Sequence, residues 1–229
     1  LLFITGGKLE LNKCFFYILI WQFSDDGTPS LTPKAQLPYP LMITQGNDAQ
    51  PTEIKHKDCS ESHKTLGVMK APNQSQVGEI KRLQNKCNTH AQAILSNSVT
   101  SSHSTIAYRT YHLTSIGYSL STTYITREAL TKIQGRAVSA FLATSGYNRN
   151  MERRFVFSPR NHGGIGMTPL MLLQGQKCIT LLRRHMLHQT EIGRQIRIDI
   201  AWIQQEAGTA QPILENTHLE LDYVNDGWV

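Results

Sequence analysis

The sequence predicts an α+β fold in which helices dominate, and three observations carry that expectation. Before Asn73 the apolar residues come in short runs, rich in aromatic and β-branched side chains and cut by proline and glycine. That is the pattern of strands and turns. From Asn73 to about residue 205 the apolar residues recur at three- and four-residue steps, the period of a helix with one buried face. Residues suited to starting helices, Thr126, Thr168-Pro169 and Thr190, stand ahead of three of those segments. The expected division is a small β-containing piece over 1–72, a helical bundle over 73–205 and an acidic tail over 206–229. The sequence contains no internal repeat.

Thr5-Gly6-Gly7 reads as a turn, and Lys8 to Asn12 leads into the longest apolar run, Cys14 to Phe23. Its ten residues fit a strand buried on both faces. Asp25-Asp26-Gly27-Thr28-Pro29 closes it as a turn. After the prolines at 29, 33, 38 and 40, Leu41 to Thr44 is a second short strand and Gln45 to Asp48 another turn. Residues 55–63 read as a polar loop, and Thr65 to Met69 as one more strand ended by Pro72. The first helix presents Val77, Ile80, Cys87, Ala91 and Ile94 on one face, and the serines of 96–104 break it. Ile106, Leu113, Ile116 and Leu120 form a weaker helix, interrupted near Gly117. Thr126 caps the next, with Leu130, Ile133, Ala137 and Phe141 as its buried stripe and Gly146 as its stop. Gly163, Gly164 and Gly166 allow a tight connection. Pro169 then takes the first position of a helix whose Leu172, Ile179, Leu182 and Met186 face one way. Thr190 caps the last, carrying Ile192, Ile196, Ile200 and Ile203 and ending near Gly208.

Composition narrows the function. The chain has 229 residues, 23 lysines and arginines against 17 aspartates and glutamates, and a net charge of +6. Hydrophobic residues make up 40%, enough for a core and too many for a disordered chain. No run of about 18 apolar residues is present, so no membrane-spanning helix is expected. The start has no signal-peptide pattern. The four cysteines, Cys14, Cys59, Cys87 and Cys178, lack paired spacing, which fits a reducing, intracellular compartment. The charge is uneven. Five acids and no lysine or arginine lie between Glu206 and Val229, which leaves a net +11 on the first 205 residues. A positive body attracts a polyanion, above all a nucleic-acid backbone.

Several motifs invite a chemical reading. Phe23-Ser24-Asp25-Asp26 has the look of a polymerase metal box, but a turn follows it where such a box needs a strand. His56, Cys59 and His63 have ligand-like spacing, and Cys87 and His90 would add donors; the competing reading is a polar loop. The glycines at 163–166 match neither dinucleotide nor triphosphate fingerprints. No cysteine has the setting of a nucleophile. Lys177, Arg183 and Arg184, with His185 and His188, form a basic helix face. Arg149, Arg153, Arg154 and Arg160 cluster ahead of it, interleaved with Tyr147 and Phe155. That mixture suits phosphate contacts with some stacking.

Several segments, taken in order, resemble the reverse transcriptases of non-LTR-like retrotransposons, which are RNA-directed DNA polymerases. Gly6-Gly7-Lys8-Leu9-Glu10-Leu11-Asn12-Lys13-Cys14 is similar to the palm segment that follows the catalytic Asp-Asp box. Lys64-Thr65-Leu66-Gly67-Val68 is similar to the primer-grip hairpin. Leu130-x-x-Ile133-Gln134, Gly146-Tyr147-Asn148-Arg149-Asn150, Gly163-Gly164-Ile165-Gly166-Met167 and Gln174-Gly175 follow in the order of the thumb and its continuation.

The resemblance implies a palm end followed by a helical thumb, in a chain whose first residue, Leu1, falls just after the catalytic aspartates. It implies that Lys13 lies on the triphosphate side, that Leu66, Gly67 and Val68 hold the primer end, and that the basic thumb residues grip the template–primer duplex. Mg²⁺ is implied for the complete polymerase, with upstream palm and fingers as the missing partners, and this part alone would be inactive. Two other readings stay open: a stand-alone basic helical nucleic-acid-binding protein, and a zinc-binding interaction module.

Overall fold

The computed structural model describes residues 10, 13–37, 39–44, 50–188 and 190–215. The Gly6-to-Asn12 segment, except Glu10, and the tail beyond Glu215 lie outside the described residues, as does the 45–48 turn. Helices dominate, with small sheets ahead of them, so the α+β class holds.

The strand-rich part is broken into pieces. β1 (Phe15–Phe16) pairs in parallel with β5 (Thr52–His56), and β4 (Leu41–Ile43) pairs antiparallel on its other side, Leu41 opposite Ile54. β2 (Trp21–Phe23) and β3 (Pro29–Leu31) form a separate hairpin. The Cys14–Phe23 run is therefore not one buried strand. It splits between two sheets, and Trp21 and Phe23 are 57% and 71% exposed. Sheets of two or three short strands have too little area to cover both faces of a ten-residue strand. Residues 52–56, of which only 55 and 56 fall in the stretch read as loop, supply the central strand, with Ile54 as its one apolar and buried residue. The Asp25–Thr28 turn is present. Asp26 Oδ1 accepts from Ser24 Oγ (2.5 Å) and from the Thr28 N–H (3.0 Å).

The helical part begins with α1 (Val77–Ser96). α2 (Ser101–Ala107), capped by Thr100, runs through a π turn (Tyr108–His112) into α3 (Leu113–Leu120). Gly117 does not interrupt α3. A Cβ there would stand 3.2 Å from Leu173 and 3.3 Å from the Lys177 stem, so its missing side chain lets a later helix lie close. α4 (Arg127–Thr144) is capped by Thr126, whose Oγ1 accepts from the Ala129 N–H, and Gly146 follows its end at φ +83°. α5 (Arg153–Phe157) is short. α6 (Leu170–Leu187) starts one residue after Pro169, which is its cap rather than its first residue. α7 (Glu191–Glu206) is capped by Thr190.

The core joins Leu83, Cys87, Ala91 and Ile94 of α1 to Tyr108, Ile116 and Leu120, to the α4 stripe as expected, and to Leu170 and Leu173 of α6. Several stripe residues differ from expectation, Ile106 and Ile192 among them, each 55% exposed. Val77 is 71% exposed because α1 turns it outward, and Leu83 takes the buried place. On α6, Leu170, Leu173 and Gln174 are buried while Leu172 and Ile179 face water. Three- and four-residue steps from Leu170 define the buried side, and Leu172 and Ile179, seven apart, share the other. Among the described residues no helix is long and apolar enough to cross a membrane.

Candidate functional site

A surface feature tied to the helices by several side chains is the hairpin of β6 (His63–Thr65) and β7 (Val68–Lys70), with His63 opposite Lys70 and Thr65 opposite Val68. The stretch read as one strand over 65–69 turns back on itself at Leu66-Gly67. Both tip residues have positive φ, +48° and +86°, as a two-residue type I′ turn demands. Glycine takes that conformation freely. A leucine does not, and holding one there costs about 1–2 kcal/mol. Leu66 is nonetheless 87% exposed, so burial does not repay that cost. Strained backbone of this kind clusters at functional sites, which makes the tip a candidate.

The hairpin is fastened to the helices at several points. Tyr118 of α3 donates its hydroxyl to the Leu66 carbonyl (2.9 Å). The Met69 N–H donates to Glu79 Oε2 (2.8 Å). The Glu79 side chain is fully buried, and Arg82 grips it with Nε to Oε2 (2.8 Å) and Nη2 to Oε1 (2.5 Å). Arg82 Nη2 also reaches Ser119 Oγ (3.1 Å), tying the pair to α3. Burial alone would raise the Glu79 pKa. The bonds from Arg82, Met69 and Ser119, with the charge of Arg82, outweigh it and hold the carboxyl below its ordinary value.

Three lysines reach α3 or the turn that follows it, and a fourth stands on β6 of the hairpin. Lys70 donates to the Thr122 carbonyl just past the α3 C-terminus, where a cation is favoured. Lys86 donates to the Ser115 carbonyl (2.8 Å). Burial lowers the Lys86 pKa, the charges of Arg82 and Lys64 lower it further, and Glu79 and Cys87 offset part. Lys177 lays its stem over Gly117. Lys64, exposed on β6, completes the group. Among the described residues none of the four has a carboxylate within 4 Å.

The residues singled out from the sequence are dispersed. Leu66, Gly67 and Val68 form the tip and the buried start of β7. Lys13 is exposed, its N–H donating to the Glu10 carbonyl. Arg160 Nε donates to the Ile165 carbonyl (3.1 Å) and so closes its own loop. Arg154 pairs with Glu152 (3.4 Å). Arg153 Nη2 donates to Ser139 Oγ (2.9 Å). Arg149 is exposed, and Arg183 and Arg184 are exposed on the later half of α6. Lys177 alone of them joins the lysines on α3.

Lys70, Lys86, Tyr118 and the Glu79–Arg82 pair were not singled out from the sequence, and Lys64 entered only as the first residue of the hairpin motif. The one available signal was Glu79 three residues before Arg82 on the apolar side of α1.

The ligand-like trio diverges. His56 stacks on Phe16 (4.7 Å), Cys59 Sγ donates to the Ile18 carbonyl (3.2 Å), and His63 packs on Phe15 with Lys57 Nζ 3.4 Å from its Nδ1. No group of three metal-binding side chains occurs among the described residues. Cys87 is buried, and its thiol is pushed up to about 12 by desolvation.

His90 and His112 meet inside the bundle, Nδ1 to Nδ1 at 3.0 Å, with Tyr108 and Phe141 against His112. Set against known proteins, the chain matches no family model, no curated protein and no solved structure.

Proposed function

We propose that the chain binds nucleic acid through the braced hairpin and its lysines, as the part of a retrotransposon reverse transcriptase that follows the catalytic aspartates holds a template–primer duplex. The observation that carries the reading is the Leu66–Gly67 tip. A strained, exposed turn is held in place by Tyr118 and the buried Glu79–Arg82 pair, with four lysines near it that have no carboxylate partner among the described residues. Lysines without a carboxylate partner among the described residues, two of them held through their ammonium groups on backbone carbonyls, suit a backbone of repeating phosphates, whose binding releases condensed counterions. The order of the segments resembling that family supports the finer assignment, with Lys13 ahead of the hairpin and Arg149, Arg153, Arg154, Arg160, Arg183 and Arg184 in the helical part behind it.

Asp25 and Asp26 do not fit the Mg²⁺ site of a complete polymerase. The Asp26 carboxylate serves its own turn, where bonds from Ser24 and Thr28 hold its pKa down to about 2. On this reading the chain binds a duplex and incorporates no nucleotide.

The test is fluorescence anisotropy of a primed RNA–DNA duplex against the chain across a salt series. Lys64→Gln with Lys70→Gln is expected to weaken binding about tenfold and to reduce the slope of log K against log salt by about two. Unchanged affinity and slope would remove the hairpin from the interface. If neutralising Arg183 and Arg184 abolishes binding while the hairpin variant has no effect, the interface lies on α6 instead.

A further inference from the structure

We propose that the groove between α4, α5 and the start of α6 is a binding site for a small phosphomonoester with a flat apolar body, of nucleoside-monophosphate size. The groove encloses about 450 Å³, within the range of small-ligand sites. It has a charged part and an apolar part, and it shares no residue with the hairpin.

Arg127, Arg153 and Arg154 line the charged part, and among the described residues no aspartate or glutamate lines the groove. Arg153 is the centre of the argument. Its guanidinium is half-buried, with Nη2 spent on Ser139 and Nη1 enclosed without a hydrogen-bond partner. Among the described residues no carboxylate lies within 4 Å of Arg153 or Arg127. Arg154 has only Glu152, in a pair open to water on both sides, which does little to neutralise it. A partly buried guanidinium without a counter-charge carries a desolvation cost that no ion pair offsets, and Arg153 lines the groove. An anion seated there supplies the missing charge.

The start of α6 adds to the same pole. Its cap residue, Pro169, offers no side-chain acceptor, and the Leu170 N–H is taken by Gln134 Oε1 (2.9 Å). The N–H groups of the next two residues are those an α-helix leaves unpaired, and Met171 and Leu172 both line the groove. The helix dipole favours an anion at that end.

The choice of phosphate over carboxylate follows from the charge count. Three guanidiniums and a helix start exceed what one carboxylate neutralises, whereas a phosphomonoester carries nearly two charges on three oxygens. The planar fork of arginine matches those oxygens two at a time. The apolar part is Val138, Phe157, Met171 and Leu172. Met171 and Leu172 are 51% and 53% exposed on the groove side of α6, an uncovered wall against which a ring can lie flat.

The experiment is calorimetric titration of the full chain with adenosine monophosphate, adenosine and inorganic phosphate in turn. The monophosphate is expected to bind one to one, with the two halves each at least about tenfold weaker. Arg127 and Leu172 are exposed, so Arg127→Gln and Leu172→Ala leave the core intact, which far-UV circular dichroism checks. Arg127→Gln should weaken the monophosphate about tenfold, and Leu172→Ala should weaken the monophosphate but not inorganic phosphate. A short strand with a 5′-phosphate, competed against the free nucleotide beside its unphosphorylated twin, tells the two sources of this chemistry apart. Competition by the phosphorylated strand alone makes the ligand a strand end; no competition by either leaves the free nucleotide. Absence of monophosphate binding, or binding unaltered by Arg127→Gln, overturns the site.

Discussion

Replacing Arg82 with methionine removes one partner of a buried ion pair and keeps most of the side chain's volume. The Glu79 carboxylate, fully buried, loses both bonds from Arg82 and retains the Met69 N–H. Losing one member of such a pair costs roughly 3–5 kcal/mol, because the other charge is stranded. The Arg82 side chain is 22% exposed, so water softens the effect and the lower end, about 3 kcal/mol, is expected.

Protonation offers Glu79 a way out, and pH therefore separates this reasoning from simple loss of packing. In the parent chain the folded-state pKa of Glu79 is lowered. Its stabilisation is complete above the unfolded value and is lost as pH falls through the folded one. In Arg82→Met the carboxyl pKa rises, so stability relative to the parent recovers on going from pH 7 to pH 5. Urea unfolding followed by far-UV circular dichroism at the two pH values measures both effects. Adding Glu79→Gln to Arg82→Met should restore more than half of the loss. A loss below about 1 kcal/mol, or a loss equal at both pH values, would show that the pair does not brace the hairpin as described.

Two further outcomes follow from packing. Burial first, then the neighbouring charges of His90 and Lys86, pull the His112 pKa down to about 3. The unfolded chain therefore takes up a proton as pH falls below the ordinary histidine value while the folded chain does not. Stability should drop by about 1.4 kcal/mol per pH unit from this one group. His112→Gln should lose less than the parent between pH 6.5 and 5, by about 2 kcal/mol in urea titrations; equal slopes would count against the buried neutral pair. At Gly193 a Cβ would stand 2.1 Å from the His185 carbonyl oxygen, a backbone atom that cannot give way. Gly193→Ala should separate α7 from α6 at a cost of roughly 1–3 kcal/mol, with faster amide exchange along α7 and little change in α1 and α4. Unaltered α7 exchange would mean that the two helices do not meet there.

The helical half was legible because its signals are local. Thr126 and Thr190 cap where the sequence placed them, since a cap needs only its own next turn. The α4 stripe from Leu130 to Phe141 is buried as its three- and four-residue spacing predicts, while Val138 and Leu142 beside it bury into a second cluster. α6 was harder. Apolar residues stand on both of its sides, and only the position of α1, α3 and α4 decides that Leu170 and Leu173 turn inward while Leu172 and Ile179 do not. The first 72 residues were least legible, because strand pairing is a choice of distant partner. Nothing within Cys14–Phe23 says that its two ends join different sheets, or that the polar 52–56 stretch lies at the centre of one.

By itself, then, the sequence determined the dominance of helix, the places where most helices start and stop and the basic character of the body, whereas the turn at Leu66–Gly67 lay inside a stretch read as one strand. The former depend on side chains within a few residues of one another. Tertiary structure alone decided which charges are free. It spent Arg160 on its own loop and Arg82 on Glu79, left Lys64 and Lys70 without carboxylates beside the hairpin, and set Arg127 and Arg153 around a groove that contains no acid. Net charge is a sum over the chain, but whether a given cation has a partner depends on a few ångströms of packing between elements far apart in sequence.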